Sequence, residues 1–178
     1  MSMIAASKMR RTQEMALKGR PYNDHMNALL ADLAAQPQDE DNLHPLLRTR
    51  DVNNITVVHI TPDRGLTGGL NTSINREATQ FILQQSAKTN IIAAGKKGRD
   101  FMVNDGQDVK AVFTDLGDQP SMIDLAPIAR LVIDAYTTEA VDAVYISYAS
   151  FVSTTVQKPI VIQLLPVVPA ELKSSESV

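Results

Sequence analysis

The sequence contains no cysteine and no tryptophan, and aromatic residues make up only 4% of its 178 positions. Without cysteine, disulfides, thiolate metal sites and a cysteine nucleophile are all excluded. No apolar run approaches the roughly 20 residues that span a bilayer, and the first residues lack the apolar core of a signal peptide. The sequence therefore indicates an aliphatic core, in a protein that is cytosolic or joins a membrane through partners.

Net charge and chain length narrow the class of protein further. The formal net charge is −3, with 17 basic and 20 acidic residues, which argues against a general nucleic-acid binder. A hydrophobic content of 44% is enough to form a core, and 178 residues suffice for one ordinary domain with an appendage.

Residues 1–35 are predicted to form a long helix with an apolar seam. The seam recurs at spacings of seven, four, three and four, which is typical of one half of a coiled coil; it consists of Met15, Tyr22, Met26, Leu29 and Leu33. An ordinary helix packed on its own domain fits the periodicity equally well. Pro21 removes a backbone hydrogen bond, so we expect a kink or a break near Gly19 and Pro21.

The same helix carries a basic cluster. Its five cations outweigh Glu14, for a net charge of +4 within twenty residues (five minus one); they are Lys8, Arg10, Arg11, Lys18 and Arg20. A solvated helix face and a contact with an acidic protein surface both explain such a cluster.

Residues 36–51 form a polar, acidic linker, and an α/β domain follows over residues 52–168. Strands alternate with helices from residue 52, which favours a Rossmann-like domain with a mostly parallel sheet of five strands. The predicted strands are 55–60, 90–95, 109–113, 141–148 and 157–165. The last connection is too short for a crossover helix, so the fifth strand is predicted to be antiparallel to the fourth, and Pro159 suggests an edge position. Residues 169–178 are predicted to be a disordered tail.

Helices are predicted at about 71–87 and 97–103, and a third has two candidate starts. Ser121 begins a variant of the capping box but leaves Pro127 inside the helix. A cap at Asp124 would instead place Pro127 in the first turn, where its missing N–H costs little, and we favour that start.

A glycine-rich turn follows the first strand and is the best candidate for a site. It holds Asp63, Arg64, Gly65, Gly68 and Gly69, at the strand end where open α/β sheets bind ligands. The glycines match neither the dinucleotide fingerprint nor a P-loop. Asp63 and Arg64 could act as an acid and a substrate clamp, but a local ion pair or a contact to another chain explains them more simply.

No other catalytic constellation is visible. His25, His44 and His59 are scattered, without carboxylates at ligand spacing, so no metal site is predicted and His59 is expected in a core or interface. Ser147 and Ser150 have no histidine nearby in sequence. No cofactor is expected.

Several segments together resemble the gamma subunit of F-type ATP synthases. The matching segments run from Met1 to about Pro169 and include residues 3–11, 20–22, 44–47, 63–71, 95–100, 148–155, 158–159 and 163–166. In the 63–71 loop, Thr67 stands where the family commonly has cysteine or alanine.

The resemblance implies a non-catalytic rotor shaft. Its partners would be the alpha, beta and epsilon subunits and the membrane c-ring, with acidic beta-subunit loops facing Lys8, Arg10, Arg11 and Lys18. It also implies a coiled-coil partner for the apolar seam, and a peripheral position at the cytoplasmic face of a bacterial membrane, since no organelle transit peptide is seen.

The family's long C-terminal helix is not within these 178 residues, so we expect either a fragment of a longer subunit or a diverged short form. The alternatives are a stand-alone domain binding a small ligand or nucleotide at residues 63–71, and a short gamma-like regulator of the ATPase.

Overall fold

The computed structural model describes residues 2–35, 44–117 and 119–167. A long helix, α1 (Ser2–Ala35), precedes a 3₁₀ turn at Pro45–Leu47. Three further helices follow: α2 (Leu70–Gln84), α3 (Lys96–Asn104) and α4 (Met122–Thr137). The strands are β1 (Asn54–Ile60), β2 (Lys88–Ala94), β3 (Val109–Phe113), β4 (Ala143–Phe151) and β5 (Gln157–Leu165).

The five strands form one sheet in the order β3-β2-β1-β4-β5. The first four strands are mutually parallel, and β5 runs antiparallel to β4 at the edge of the sheet. The predicted α/β class, the mostly parallel five-stranded sheet and the edge position of the fifth strand are therefore confirmed.

Helices cover both faces of this sheet. On one face, Ala78 of α2 and Met102 of α3 pack on Val57 and Ile91 of the central strands. On the other, Val132 and Tyr136 of α4 pack on a second cluster, formed by Val58, Ile92, Val141, Val144 and Leu165. The central strands are buried from both sides, which explains their continuous β-branched sequence.

The start of α4 differs from the favoured prediction. The N-cap is Ser121 and Pro127 lies inside the helix, so the predicted cap at Asp124 is wrong. The Asp124 carboxylate accepts hydrogen bonds from both the backbone N–H and the hydroxyl of Ser121, each at 2.7 Å. These two charge-assisted bonds stabilise the first turn and offset the backbone bond that Pro127 removes.

The long helix α1 continues through Pro21, so the break considered there does not occur. A proline frees the carbonyl four residues earlier, here that of Leu17, and both residues are exposed, so water can satisfy that carbonyl. The division into helix, linker, domain and tail stays a prediction. Residues 36–43 of the linker and the whole of the tail lie outside the described residues.

Gly95, between β2 and α3, is a position where the fold leaves no room for a side chain. Its φ is +115°, and a Cβ there would lie 1.9 Å from the carbonyl oxygen of Thr61. Gly106 shares a left-handed φ of +75°, but a Cβ there would meet nothing within 4 Å.

We predict that Gly95→Ala lowers the free energy of unfolding by about 3 kcal/mol or more, because strain adds to a backbone clash. Gly106→Ala, the matched control, should cost only about 1 kcal/mol. Urea denaturation of both variants checks this, and equal losses would contradict the packing described here.

Candidate subunit interface

The predicted basic residues of α1 are exposed. Lys8, Arg10, Arg11 and Lys18 all lie at the surface of the helix. Arg10 Nε lies 3.1 Å from a carboxylate oxygen of Glu14, one turn further on, and both side chains are largely exposed. Exposed pairs of this kind add little stability, so stabilisation of the helix does not explain the basic surface.

The apolar seam of α1 is exposed as well. Four of its members expose substantial fractions of their surface: Met15 47%, Tyr22 71%, Met26 38% and Leu29 58%. Leu33 lies in the same helix, and its side chain is outside the described residues. A helix in water derives most of its stability from packing an apolar face, so a seam this exposed calls for a partner.

Asp63, at the exit of β1, ties together the ends of three parallel strands. One carboxylate oxygen accepts the backbone N–H of Lys96 after β2 at 2.8 Å, and the other accepts that of Asp115 after β3 at 2.9 Å. No ion pair between Asp63 and Arg64 is seen among the described residues, and the Asp63 carboxylate fixes the loop through backbone amides instead; a contact of this pair with another chain stays a prediction.

A salt bridge reinforces the same junction. The Lys96 ammonium lies 2.7 Å from a carboxylate oxygen of Asp115. This hydrogen bond raises the pKa of Lys96 and lowers that of Asp115. Both groups are exposed, so the pair orients the loops more than it stabilises the fold.

The backbone of the glycine-rich turn differs in part from expectation. Of Gly65, Gly68 and Gly69, only Gly68 has a left-handed φ, of +61°, whereas Leu66 adopts +60° despite its side chain. Leu66 is fully exposed and Arg64 is exposed beside it. The pattern of glycines and charges in the turn does not predict an exposed leucine in this sparsely populated conformation.

Protein groups occupy the amino end of α3, where an anion would otherwise bind. The N–H of Lys96 donates to Asp63, that of Lys97 to the Pro62 carbonyl at 3.3 Å, and that of Gly98 to the Thr61 hydroxyl at 2.7 Å. These amides are unavailable to a phosphate, which weakens the nucleotide-binding alternative at this edge of the sheet.

A buried histidine connects β1, β4 and α2. His59 Nε2 lies 2.9 Å from the Asn75 amide oxygen, and Nδ1 lies 3.2 Å from the Ser147 hydroxyl. The expectation of a core histidine is confirmed, but its pairing with Ser147 was missed because the two are 88 residues apart in sequence. The pairing of His59 with Ser147 resembles part of a catalytic array. Both side chains are fully buried, so the pairing serves the packing of the core. Burial lowers the pKa of His59 against the opposing effect of the Asn75 hydrogen bond.

Across residues 2–35, 44–117 and 119–167, no cluster of three or more His, Asp or Glu side chains could hold a metal ion. Of the helices described, none is long and apolar enough to cross a membrane.

A Rossmann-like sheet whose ligand edge is filled by its own groups, in one chain with a long helix that carries an exposed apolar seam, indicates a subunit of an assembly. A family profile described as ATP synthase matches residues 1–178. The ATP synthase gamma chain of Dehalococcoides mccartyi strain 195 is 47% identical over 99% of this chain and 62% of its own length. That of Herpetosiphon aurantiacus is 39% identical over 94% and 60% respectively.

The chain therefore belongs to the ATP synthase gamma chain family, and it spans about three fifths of the length of these relatives. A central stalk and c-ring structure of the Tetrahymena thermophila mitochondrial ATP synthase matches 92% of this chain and 70% of its own, with a TM-score of 0.71 and 24% identity. A rotor chain of the Euglena gracilis mitochondrial enzyme matches 96% and 66%, with a TM-score of 0.52 and 19% identity. These two likenesses support the fold.

We predict that Asp63→Ala lowers the free energy of unfolding by about 2 kcal/mol, because two backbone amides lose a charged acceptor. The control is Asp100→Ala, which removes an exposed carboxylate 2.6 Å from Arg99 and should cost less than about 0.5 kcal/mol. Denaturant unfolding measures both. A loss for Asp63→Ala no larger than the control's would contradict the junction described above.

The lowered pKa of His59 predicts that acid destabilises the protein. An unfolded histidine takes up a proton near pH 6.5, while the buried His59 stays neutral to lower pH, so the unfolded state binds more protons below about pH 6.5. Stability should thus fall as the pH drops from about 7 to 5. The stability difference between the wild type and His59→Gln should narrow over that range by up to about 1.4 kcal/mol per pH unit. Parallel pH profiles for the two proteins would rule this out.

Proposed function

We propose that the chain is the rotor, or central-stalk, gamma subunit of an F-type ATP synthase, or a part of it. In that role it couples proton-driven rotation to ATP synthesis or hydrolysis in a ring of alpha and beta subunits. The observation that carries the proposal is the exposed seam of α1, formed by Met15, Tyr22, Met26 and Leu29, in a chain of the gamma family. A helix of 34 residues is about 51 Å long, enough to extend well beyond one small domain.

Exposed charge on α1 supports a contact with acidic loops of the beta subunits. Arg11 and Lys18 are exposed on the helix that carries the seam. Charges at the rim of an interface act mainly on association rate and specificity, and their effect weakens with salt. A shaft that turns against a ring fits such shallow, screened contacts better than deeply buried ion pairs.

The turn after β1 supplies a second contact surface. Asp63 fixes the base of the turn, Gly65, Gly68 and Gly69 shape it, and Arg64 and Leu66 present an exposed cation beside an exposed apolar side chain. This combination is suited to another protein's surface and brings no acid, base or nucleophile together. The chain is therefore assigned a non-catalytic role, with catalysis on the beta subunits.

The remaining partners follow from the same assignment. The epsilon subunit and the c-ring would contact the α/β domain, and the chain would reach the cytoplasmic face of a bacterial membrane only through the complex. The gamma-chain relatives from Dehalococcoides and Herpetosiphon support the bacterial setting. The assignment needs no cofactor.

The test is reconstitution of the 178-residue chain with alpha, beta and epsilon subunits, followed by co-purification. The wild type should be captured in a stoichiometric complex. Leu29→Glu should reduce capture at least tenfold, because it places a charge in a seam that must be desolvated. Arg11→Glu combined with Lys18→Glu should weaken capture severalfold at low salt and less at high salt.

The matched control reverses two exposed cations away from α1, Arg130 on α4 and Lys158 on β5. That double variant should be captured by the alpha and beta subunits like the wild type. Failure of the wild type to bind any subunit, together with saturable nucleotide binding by the chain alone, would overturn the proposal in favour of a ligand-binding domain. Capture that inhibits an enzyme already containing its own gamma subunit would instead favour a regulator.

A further inference from the structure

The face of the sheet beneath α4 is apolar near the carboxyl ends of the strands and polar near their amino ends. Near the carboxyl ends of the strands, Val58 lies opposite Ile92, and both belong to the core. Two residues earlier, Thr56 lies opposite Asn90, and before that the pair is Asn54 and Lys88. A sheet face covered by a helix normally carries apolar side chains, so these polar pairs are out of place for a structural core.

A cavity of about 380 Å³ lies over these polar pairs. On the helix side its wall consists of small or aliphatic residues, namely Leu131, Ala135, Ala140 and Val141. Its sheet side includes the polar residues Asn54, Thr56, Lys88, Asn90, Asp108 and Lys110. The volume lies near the lower end of the range for small-molecule pockets, about 300 to 1,000 Å³.

Specific hydrogen bonds hold the carboxyl end of α4 in place above the cavity. The Arg50 guanidinium donates to the carbonyl oxygens of Tyr136 and Val141, at 2.6 and 2.9 Å. The Tyr136 hydroxyl donates to the Arg48 carbonyl at 2.6 Å. Because the helix end is tied at these points, the cavity is part of the built fold.

The polar lining favours an anion. The Thr56 hydroxyl donates to the Asn90 amide oxygen at 2.7 Å, which fixes the amide and leaves its nitrogen as a donor. Lys110 is neutralised by Asp108 at 2.9 Å, whereas Lys88 has no ion pair among the described residues. Two lysines and one aspartate give the lining a net charge of +1.

We propose that this cavity is a binding site for a small amphiphilic anion, with a carboxylate or phosphate head on a short aliphatic body. The head binds the Lys88 ammonium and the Asn90 amide nitrogen, and the body packs on Leu131 and Ala135. The site lies at the amino ends of the strands, away from the proposed subunit contacts of the turn after β1. It does not depend on the proposed function.

The experiment is a titration of the full chain, followed by backbone amide NMR, with four probes: hexanoate, hexyl phosphate, hexanol and inorganic phosphate. At least one of the two amphiphilic anions should bind saturably and shift the signals of Thr56, Asn90 and Ala135; which of them binds tighter identifies the head. Hexanol, which lacks the charge, and inorganic phosphate, which lacks the body, should each bind at least tenfold more weakly. Equal affinity of hexanol and hexanoate, or no saturable shift with either anion, would overturn the proposal.

Two variants locate the site. Ala135→Leu fills the cavity and should abolish saturable binding while the spectrum remains that of a folded protein. Lys88→Gln changes an exposed side chain and should weaken anion binding about two- to fivefold, as expected for one exposed ion pair, whereas Lys158→Gln on β5 should have no effect. If Ala135→Leu fails to fold, Lys88→Gln decides alone. Unchanged affinity in Lys88→Gln contradicts the assignment.

Discussion

The carboxylate of Asp63 is the interaction on which the carboxyl edge of this sheet depends. Strands β1, β2 and β3 all end at that edge, and Asp63 binds backbone amides that follow β2 and β3. In a Rossmann-like sheet the amino end of a helix at this edge is a natural anion site. Here a carboxylate of the chain itself satisfies that helix end, so the chain's own groups fill the position that an anion would take.

Because the chain's own groups fill this edge, the Rossmann-like fold does not by itself imply a ligand site here. An edge held by backbone hydrogen bonds suits the rotor role proposed above. Arg64 and Leu66 lie exposed on the closed edge, as the seam and the cations do on α1. The groups suited to contact therefore lie on the surface of elements fixed by backbone hydrogen bonding, and the buried polar groups, such as His59 and Asn75, serve the interior.

Much of the fold could be predicted from sequence because the strands are short β-branched runs between turn residues. The bounds of β3 and β5 were predicted correctly, and the short link after β4 correctly implied an antiparallel neighbour. Of the two starts that the sequence offers for α4, the favoured one is wrong because the two bonds of Asp124 in the capping box outweigh the penalty of Pro127 inside the helix. Propensity rules score the proline penalty and the capping bonds one at a time, whereas the stability of the helix depends on their sum.

The sites were less predictable, because they depend on residues that are distant in sequence. Asp63 meets Asp115 across 52 residues, and His59 meets Ser147 across 88. The polar pairs beneath α4 required the register of β1 against β2, which periodicity alone does not supply. The seam of α1 was predictable from its heptad spacing, since the periodicity of a single helix contains that information.

The most direct test of the account is hydrogen exchange of the full chain, measured alone and after assembly with alpha, beta and epsilon subunits. The account predicts that assembly slows exchange in α1 and in residues 64–69, where the exposed seam and the turn acquire partners, while the buried strand β1 stays unchanged. Unchanged exchange in α1 on assembly, with protection of residues 63–71 by ATP alone, would contradict it.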